Sequence, residues 1–331
     1  MANRIKEKYM AGKRYFDYPM LFLVIFLICF GLVMIYSTSS YKSTVTYGNS
    51  YHWLLRQAVA IVLGAVAMVV CCKLDYRIIK SEKFGNGCYW ASIVLLVLVL
   101  IIGAAKKGAV RWISIAGFQF QPSEVSKILV VIYLANRLSA NAHKIRTFKD
   151  SIVIVLPTVP IIALIVTQNL STALVVCSMI GVMLFVVSPK MKELMLTAGG
   201  GIILLFVYLL TANSYRNERV QIWLHPESHK KGFQTMQALY AIGSGGIFGK
   251  GLGQSMQKMG FIPESHNDMI FSIICEELGL FGAVCLILVF VALIFRMLLI
   301  ALNTEDLFGS LIVIGFMTHI VLHRFRQHCS G

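Results

Sequence analysis

The chain has 331 residues, of which 57% are hydrophobic and only 14% charged, with a mean hydropathy of +0.75. That excludes an ordinary soluble domain, where roughly a quarter of residues are charged, and makes this a polytopic membrane protein. Its 30 Lys and Arg against 15 Asp and Glu imply no nucleic-acid partner, because in such a chain basic residues are first to be placed relative to the bilayer.

In chain order, apolar runs of spanning or near-spanning length occupy residues 19–37, 54–72, 88–105, 123–138, 151–167, 172–187, 194–211 and 269–295, and a further one begins at Leu307. They predict an all-α fold in one membrane-embedded domain over residues 1–331, with about eight complete transmembrane helices and a partial ninth. Several runs fall short of the ~20 residues a perpendicular helix needs, so their ends borrow polar neighbours or sit in a thinned bilayer.

Arg4, Lys6, Lys8, Lys13 and Arg14 precede the first run. Lys73, Arg77, Lys80 and Lys83 follow the second, and Arg137, Lys144, Arg146 and Lys149 follow the fourth. Alternating spans put all three clusters on one side, which the positive-inside rule makes cytoplasmic, the amino terminus with them. The first run is no cleavable signal, since no small-residue cleavage site follows it and more spans come after.

The same alternation puts two loops outside, 106–122 and the long 212–267 between the seventh and eighth spans. Both are basic, with Lys106, Lys107 and Arg111 in the first and Arg216, Arg219, Lys230, Lys231, Lys250 and Lys258 in the second. Long loops cross regardless of charge, but the same cations suit an anionic substrate such as pyrophosphate. Charge alone leaves these two readings even. The eight cysteines lie mostly in spans and read as packed thiols, without paired spacing in an outside loop.

In the first outside loop Trp112, Ile113, Ile115, Phe118 and Phe120 alternate roughly with polar or small residues, which suits a short extended or interfacial segment. Gln121-Pro122-Ser123-Glu124 then starts a helix, where Glu124 suits the positive end of the helix dipole. Lys127 falls one turn into an apolar span and needs a partner, and Glu124 at i−3 is the evident one.

The glycine-rich run Gly243-Ser-Gly-Gly-Ile-Phe-Gly-Lys-Gly-Leu-Gly253 fails as a nucleotide loop. Ser244 stands where the first phosphate-loop glycine belongs, and Gly251 where Ser or Thr must bind magnesium. Flexible turns folding back on the membrane surface account for it, with a reduced role for exposed amides in holding pyrophosphate. Asp268 follows Pro263-Glu264-Ser265-His266-Asn267 at the outer boundary of the eighth span. An N-cap explains such an acid, but Asn267 can supply the cap, leaving Asp268 as a general base. Glu276 and Glu277 lie deeper, and consecutive acids cannot share one helix face. The expectation is one structural and one functional.

The strings RWI…QPSE..K from Arg111 to Lys127 and ALYAIGSGGIFGKGLGQSMQKMGFIPESHND.IF…EELG up to Gly279 resemble the SEDS family of shape, elongation, division and sporulation proteins. Val33-Met34-Ile35-Tyr36-Ser37 and Arg56-Gln57 are closest to its division and sporulation branch rather than to its rod-elongation branch. The resemblance implies a peptidoglycan glycosyltransferase of the bacterial cytoplasmic membrane, working on lipid II at the outer face. Asp268 would take the proton from the acceptor sugar's 4-hydroxyl, with a glycan on undecaprenyl pyrophosphate as donor. Arg111, Glu124, Lys127, Arg219, Lys258 and His266 would contact pyrophosphate or sugar. A divalent cation, magnesium or manganese, bridging pyrophosphate and Asp268 is compatible with that scheme. The implied partners are a class B penicillin-binding transpeptidase and other divisome proteins.

Two departures from the family pattern stand out. Gln168-Asn169-Leu170-Ser171-Thr172 replaces a Gln-Pro-Asp-Leu-Gly-Thr pattern, with the turn expected to survive. After Ile320 the chain reads VLHRFRQHCSG, too polar for a span, and residues 321–331 are expected not to complete the ninth helix. A lipid II transporter and an inactive scaffold for the transpeptidase are the alternative functions.

Overall fold

The computed structural model describes residues 16–106, 109–115, 118–145, 148–188, 227, 232–259, 267 and 269–329; at 77, 104–111, 114–119, 148 and 324–329 the description is of the backbone alone. Helix α1, Tyr18–Tyr47, starts where the Asp17 side chain accepts the Met20 amide and Pro19 fills the first turn. It stops at Gly48, which caps it in the left-handed conformation at φ 68°. Its 30 residues extend ~45 Å, beyond the ~30 Å hydrocarbon core. The surplus is the serine- and threonine-rich end after the predicted boundary at Ser37, where Ser37, Thr38, Ser39 and Ser43 are buried.

Helix α2, His52–Lys73, buries no residue, and α3, Glu82–Ile102, is capped by Ser81. Three short strands follow: β1 Ala104–Lys106, β2 Ala109–Ile115 and β3 Phe118–Phe120. They form an antiparallel sheet in the order β1-β2-β3, with Ile113 opposite Phe120 and Ile115 opposite Phe118. The all-α expectation is therefore corrected to a mostly helical fold carrying one small sheet. Alternation around Trp112 and Ile113 gives the segment one face to bury, and Ile113 is buried.

Helix α4, Pro122–Asn141, is the most buried of the set. The predicted fifth span is built in two pieces, α5 Phe148–Val155 and α6 Val159–Gln168, joined by a 3-10 turn at Leu156–Thr158. Pro157 and Pro160 cannot donate to a regular helix, which accounts for the joint. The turn at Asn169 survives: its side chain accepts from the amides of Ser171 and Thr172 and caps α7, Leu170–Val187. The predicted span at 194–211 lies outside the described residues.

Beyond it come α8, Phe233–Ser244, α9, Ile270–Asn303, and α10, Leu307–Cys329. Contrary to expectation, the α10 backbone stays helical past Ile320. Nothing in VLHRFRQHC breaks a helix; polarity argues against burial in lipid, which is a separate matter from helix formation.

Among the described residues, six helical stretches are long and apolar enough to cross a membrane. The fold is that of a multi-pass membrane protein. Large apolar side chains cover the outside, among them Phe22, Leu63, Ile101 and Leu288, all more than half exposed, a surface that water would not tolerate and lipid does. Inside, α4 packs on α3 and α10, α10 on α7 and α9, and α9 on α1 and α8. Leu134, Leu138, Val176, Met179, Phe308 and Leu311 form the centre of the core.

Candidate functional site

The site begins with a broken helix. At Gly279, φ 69° and ψ −170° interrupt α9, so Leu280 and Phe281 cannot donate to the carbonyls of Glu276 and Glu277 as i→i−4 geometry requires. The glycine run repairs both losses. Leu280 donates to the Gly246 carbonyl at 2.9 Å and Phe281 to that of Ile247 at 3.0 Å. In exchange the Lys250 amide reaches the Glu276 carbonyl and the Gly251 amide that of Glu277, each at 2.9 Å. Four backbone groups that a break would orphan are thus satisfied by one loop.

At Gly245 and Gly249 this contact leaves no room for a side chain. A Cβ on Gly245 would overlap the Cys275 carbonyl, and one on Gly249 the Glu277 carbonyl. The run is therefore a docked platform rather than the flexible surface turn expected of it. Composition alone could not separate the two, because glycine serves freedom and close approach equally.

The carboxylates below the break are fully buried, Glu276 and Glu277 both at 0% exposure. Lys258 Nζ lies 2.7 Å from Glu277 Oε1, and Ser37 Oγ of α1 bonds the same carboxylate at 2.7 Å. Lys258 also donates to Ser37 Oγ at 3.1 Å. On the other side Lys250 Nζ lies 2.7 Å from Glu276 Oε1, and the Ser255 and Ser244 hydroxyls and the Met256 amide also donate to that carboxylate. The loop wraps the helix end, so the two consecutive acids, on different faces of α9, both meet it. A buried carboxylate demands such a partner.

Lys258, expected to contact pyrophosphate or sugar, is buried and bonded to Glu277 and Ser37. Glu124 and Lys127 form the predicted i,i+3 pair at 2.7 Å, with the Lys127 side chain wholly buried and Glu124 partly open. That pair sits on α4, apart from the platform on α9. Arg111 lies in β2, its side chain undescribed. Asp268, Arg219 and His266 lie outside the described residues, between which the platform ends at Met259 and α9 starts at Ile270. Among the described residues no cluster of three or more His, Cys, Asp or Glu is placed to hold a metal, and Glu276 and Glu277 are each spent on a lysine.

Sequence reasoning missed Ser37, Lys250 and Ser255 as members of this network. The available signal was arithmetical: two adjacent acids in an apolar helix call for two cations, and Lys250 and Lys258 stand in the loop that leads to it.

The profile of the FtsW, RodA and SpoVE family, described as cell cycle protein, matches residues 18–328. The chain belongs to the FtsW/RodA/SpoVE family. A probable peptidoglycan glycosyltransferase FtsW of Geobacter metallireducens is 35% identical over 320 residues, 94% of this chain and 84% of the relative. Stage V sporulation protein E of Bacillus subtilis is 34% identical over 316 residues, 92% and 84% of the two chains. A chain from a solved peptidoglycan synthase complex, reported for its coordination of polymerization and crosslinking, superposes with a TM-score of 0.74 at 26% identity, over 93% of this chain and 85% of that one. RodA of Thermus thermophilus does so with a TM-score of 0.65 at 25% identity, over 94% and 84%. The docked platform is thus a feature of an FtsW/RodA/SpoVE chain whose fold is shared over nearly its whole length.

Proposed function

We propose that this FtsW-family chain is a peptidoglycan glycosyltransferase that polymerises lipid II at the outer face of the bacterial cytoplasmic membrane during cell division. The observation that carries the reading is the similarity to FtsW glycosyltransferases along 94% of the chain, beside a polar platform docked on α9 by backbone hydrogen bonds. Asp268 serves as general base, taking the proton of the acceptor's 4-hydroxyl as that oxygen attacks the anomeric carbon of the donor glycan. The undecaprenyl pyrophosphate leaves with the bonding electrons.

Pyrophosphate and sugar are held by Arg111, Lys127, Arg219 and His266, with Glu124 orienting Lys127 through their ion pair. A magnesium or manganese ion would be held by Asp268, since Glu276 and Glu277 are committed elsewhere, and would supply Lewis-acid stabilisation of the leaving pyrophosphate. The amino terminus is cytoplasmic, and the loop at 212–267 outside. In support, Asp17 pairs with Arg296 at 2.6 Å and Lys80 with Asp306 at 2.8 Å, gathering the opposite helix ends on the side rich in Lys and Arg. A class B penicillin-binding transpeptidase and divisome proteins are the partners, supported by the likeness to a synthase complex.

Labelled lipid II offered to the purified chain in proteoliposomes, with and without a transpeptidase partner, tests the reading. Glycan strands are expected from the wild type and none from Asp268→Asn. Equal polymerisation by both overturns the role of Asp268, and lipid II crossing the bilayer without polymer favours the transporter.

A further inference from the structure

Lys258, Glu277 and Ser37 are buried, mutually bonded and drawn from three separate parts of the chain: the outer loop, the end of α9 below its break, and α1. A buried ion pair is a poor source of stability, because desolvation consumes most of its attraction. Three polar groups brought together at that cost, beneath a loop already held by four backbone hydrogen bonds, fix a geometry. The loop's exit at Met259 directly follows Lys258, and α9 starts at Ile270, so this one pair ties both ends of the segment that carries Asp268.

We propose that Lys258 and Glu277, with Ser37 as their common partner, are positioning residues for the glycosyl transfer. They fix the two anchors of the Asp268 segment relative to α1. This rests on Asp268 being the base. The required property is a matched pair and not a charge offered to substrate. Lys258 is 5% exposed, and its Nζ is turned to Glu277 Oε1 at 2.7 Å and Ser37 Oγ at 3.1 Å. Misplacement of a catalytic group by ~1 Å costs about a hundredfold in rate, so loss of one anchor shows in turnover while substrate contacts elsewhere persist.

The test compares Lys258→Met, Glu277→Met and the double variant, reading kcat and KM for lipid II, with hydrogen exchange at the Lys250, Gly251, Leu280 and Phe281 amides as a measure of docking. Each single variant leaves one buried charge unmatched. It is expected to lower kcat at least about tenfold, with KM within about threefold, and to speed exchange at those amides. The double variant replaces the pair by two apolar chains of similar volume, and its kcat is expected within about fivefold of wild type, with exchange slowed again.

Lys258→Arg and Ser37→Ala are the mild variants for the case in which a single methionine variant does not fold. Lys258→Arg is expected to retain most of kcat, and Ser37→Ala to lower kcat without moving KM. A rise in KM with unchanged kcat, or a double variant no better than the worse single one, overturns the proposal, since Lys258 would then touch substrate itself. Asp268→Asn in the wild-type background separates the two readings. If it stays active, the base assignment has failed, whatever the pair does.

Discussion

Gly249 and Gly279 meet backbone to backbone: a Cβ built on Gly279 would overlap the Gly249 nitrogen and the Ile247 carbonyl. The break in α9 and the docking of the loop are therefore one structural event. Gly279 frees two amides and two carbonyls, and Gly246 to Gly251 supplies their replacements. Neither half is stable without the other, because an open break would leave buried backbone groups unpaired.

Replacing Gly279 with alanine should accordingly destabilise the protein by about 3 kcal/mol or more, since strain at a glycine-only backbone conformation adds to the overlap. Gly246 is the control: it also has a positive φ, 57°, but open space where a Cβ would go. Gly246→Ala should cost only about 1–2 kcal/mol. Thermal unfolding of the detergent-solubilised variants reads the difference, and equal losses would mean that conformation alone, not close approach, governs the site.

At the other end of α1, Asp17 reports on pH. Burial pushes its carboxyl up, but the Met20 amide and the Arg296 guanidinium outweigh this and hold it below the ordinary aspartate value. A depressed folded-state value means the contribution is fully present above the unfolded value of about 3.9 and is lost as pH falls through the folded one. Wild type should lose thermal stability below about pH 4 more steeply than Asp17→Asn. Parallel acid limbs for the two proteins would show that the pair with Arg296 carries no linkage.

Much of this was legible in the residues, and the exceptions have physical causes. Hydropathy located α1, α2, α3 and α7 because a lipid-facing helix must be apolar along its length, and the spacing of Glu124 and Lys127 gave their pairing. The joint at Leu156–Thr158 stood in the sequence as Pro157 and Pro160 but was overridden by the run's hydropathy. The alternation around Trp112 and Phe120 allowed an extended segment, but not its pairing into the sheet β1–β3, because short alternation suits a strand and an interfacial segment alike. The platform escaped most completely. Its defining contacts are backbone to backbone across distant segments, and no side-chain pattern encodes a hydrogen bond between Lys250 and Glu276 main chains.

The ion pair of Lys80 and Asp306 provides a contrast with the buried ones. Its side chains are 46% and 25% exposed, so water and salt screen it. Lys80→Ala should change stability by less than about 1 kcal/mol, and the change should shrink further at high ionic strength. Unfolding of both proteins at low and high salt checks this; a large, salt-independent loss would mean that Lys80 acts through packing.

The two buried carboxylates predict an asymmetry between their lysines. Without Lys250, Glu276 keeps the hydroxyls of Ser255 and Ser244 and the Met256 amide, and Lys250 itself is already 34% exposed. Without Lys258, the described donor left to Glu277 is the Ser37 hydroxyl, and the carboxylate stays sealed from solvent. Lys258→Ala should therefore cost about 3–5 kcal/mol, the penalty of an uncompensated buried charge, whereas Lys250→Ala should cost nearer 1–2 kcal/mol, the loss of one charged hydrogen bond among several. Adding Glu277→Gln to Lys258→Ala should recover part of the larger loss by removing the stranded charge, while Glu276→Gln on Lys250→Ala should recover little. Unfolding free energies of the four variants in detergent decide it: equal costs for the two lysines would show that solvent reaches Glu277 and that the pair is not sealed.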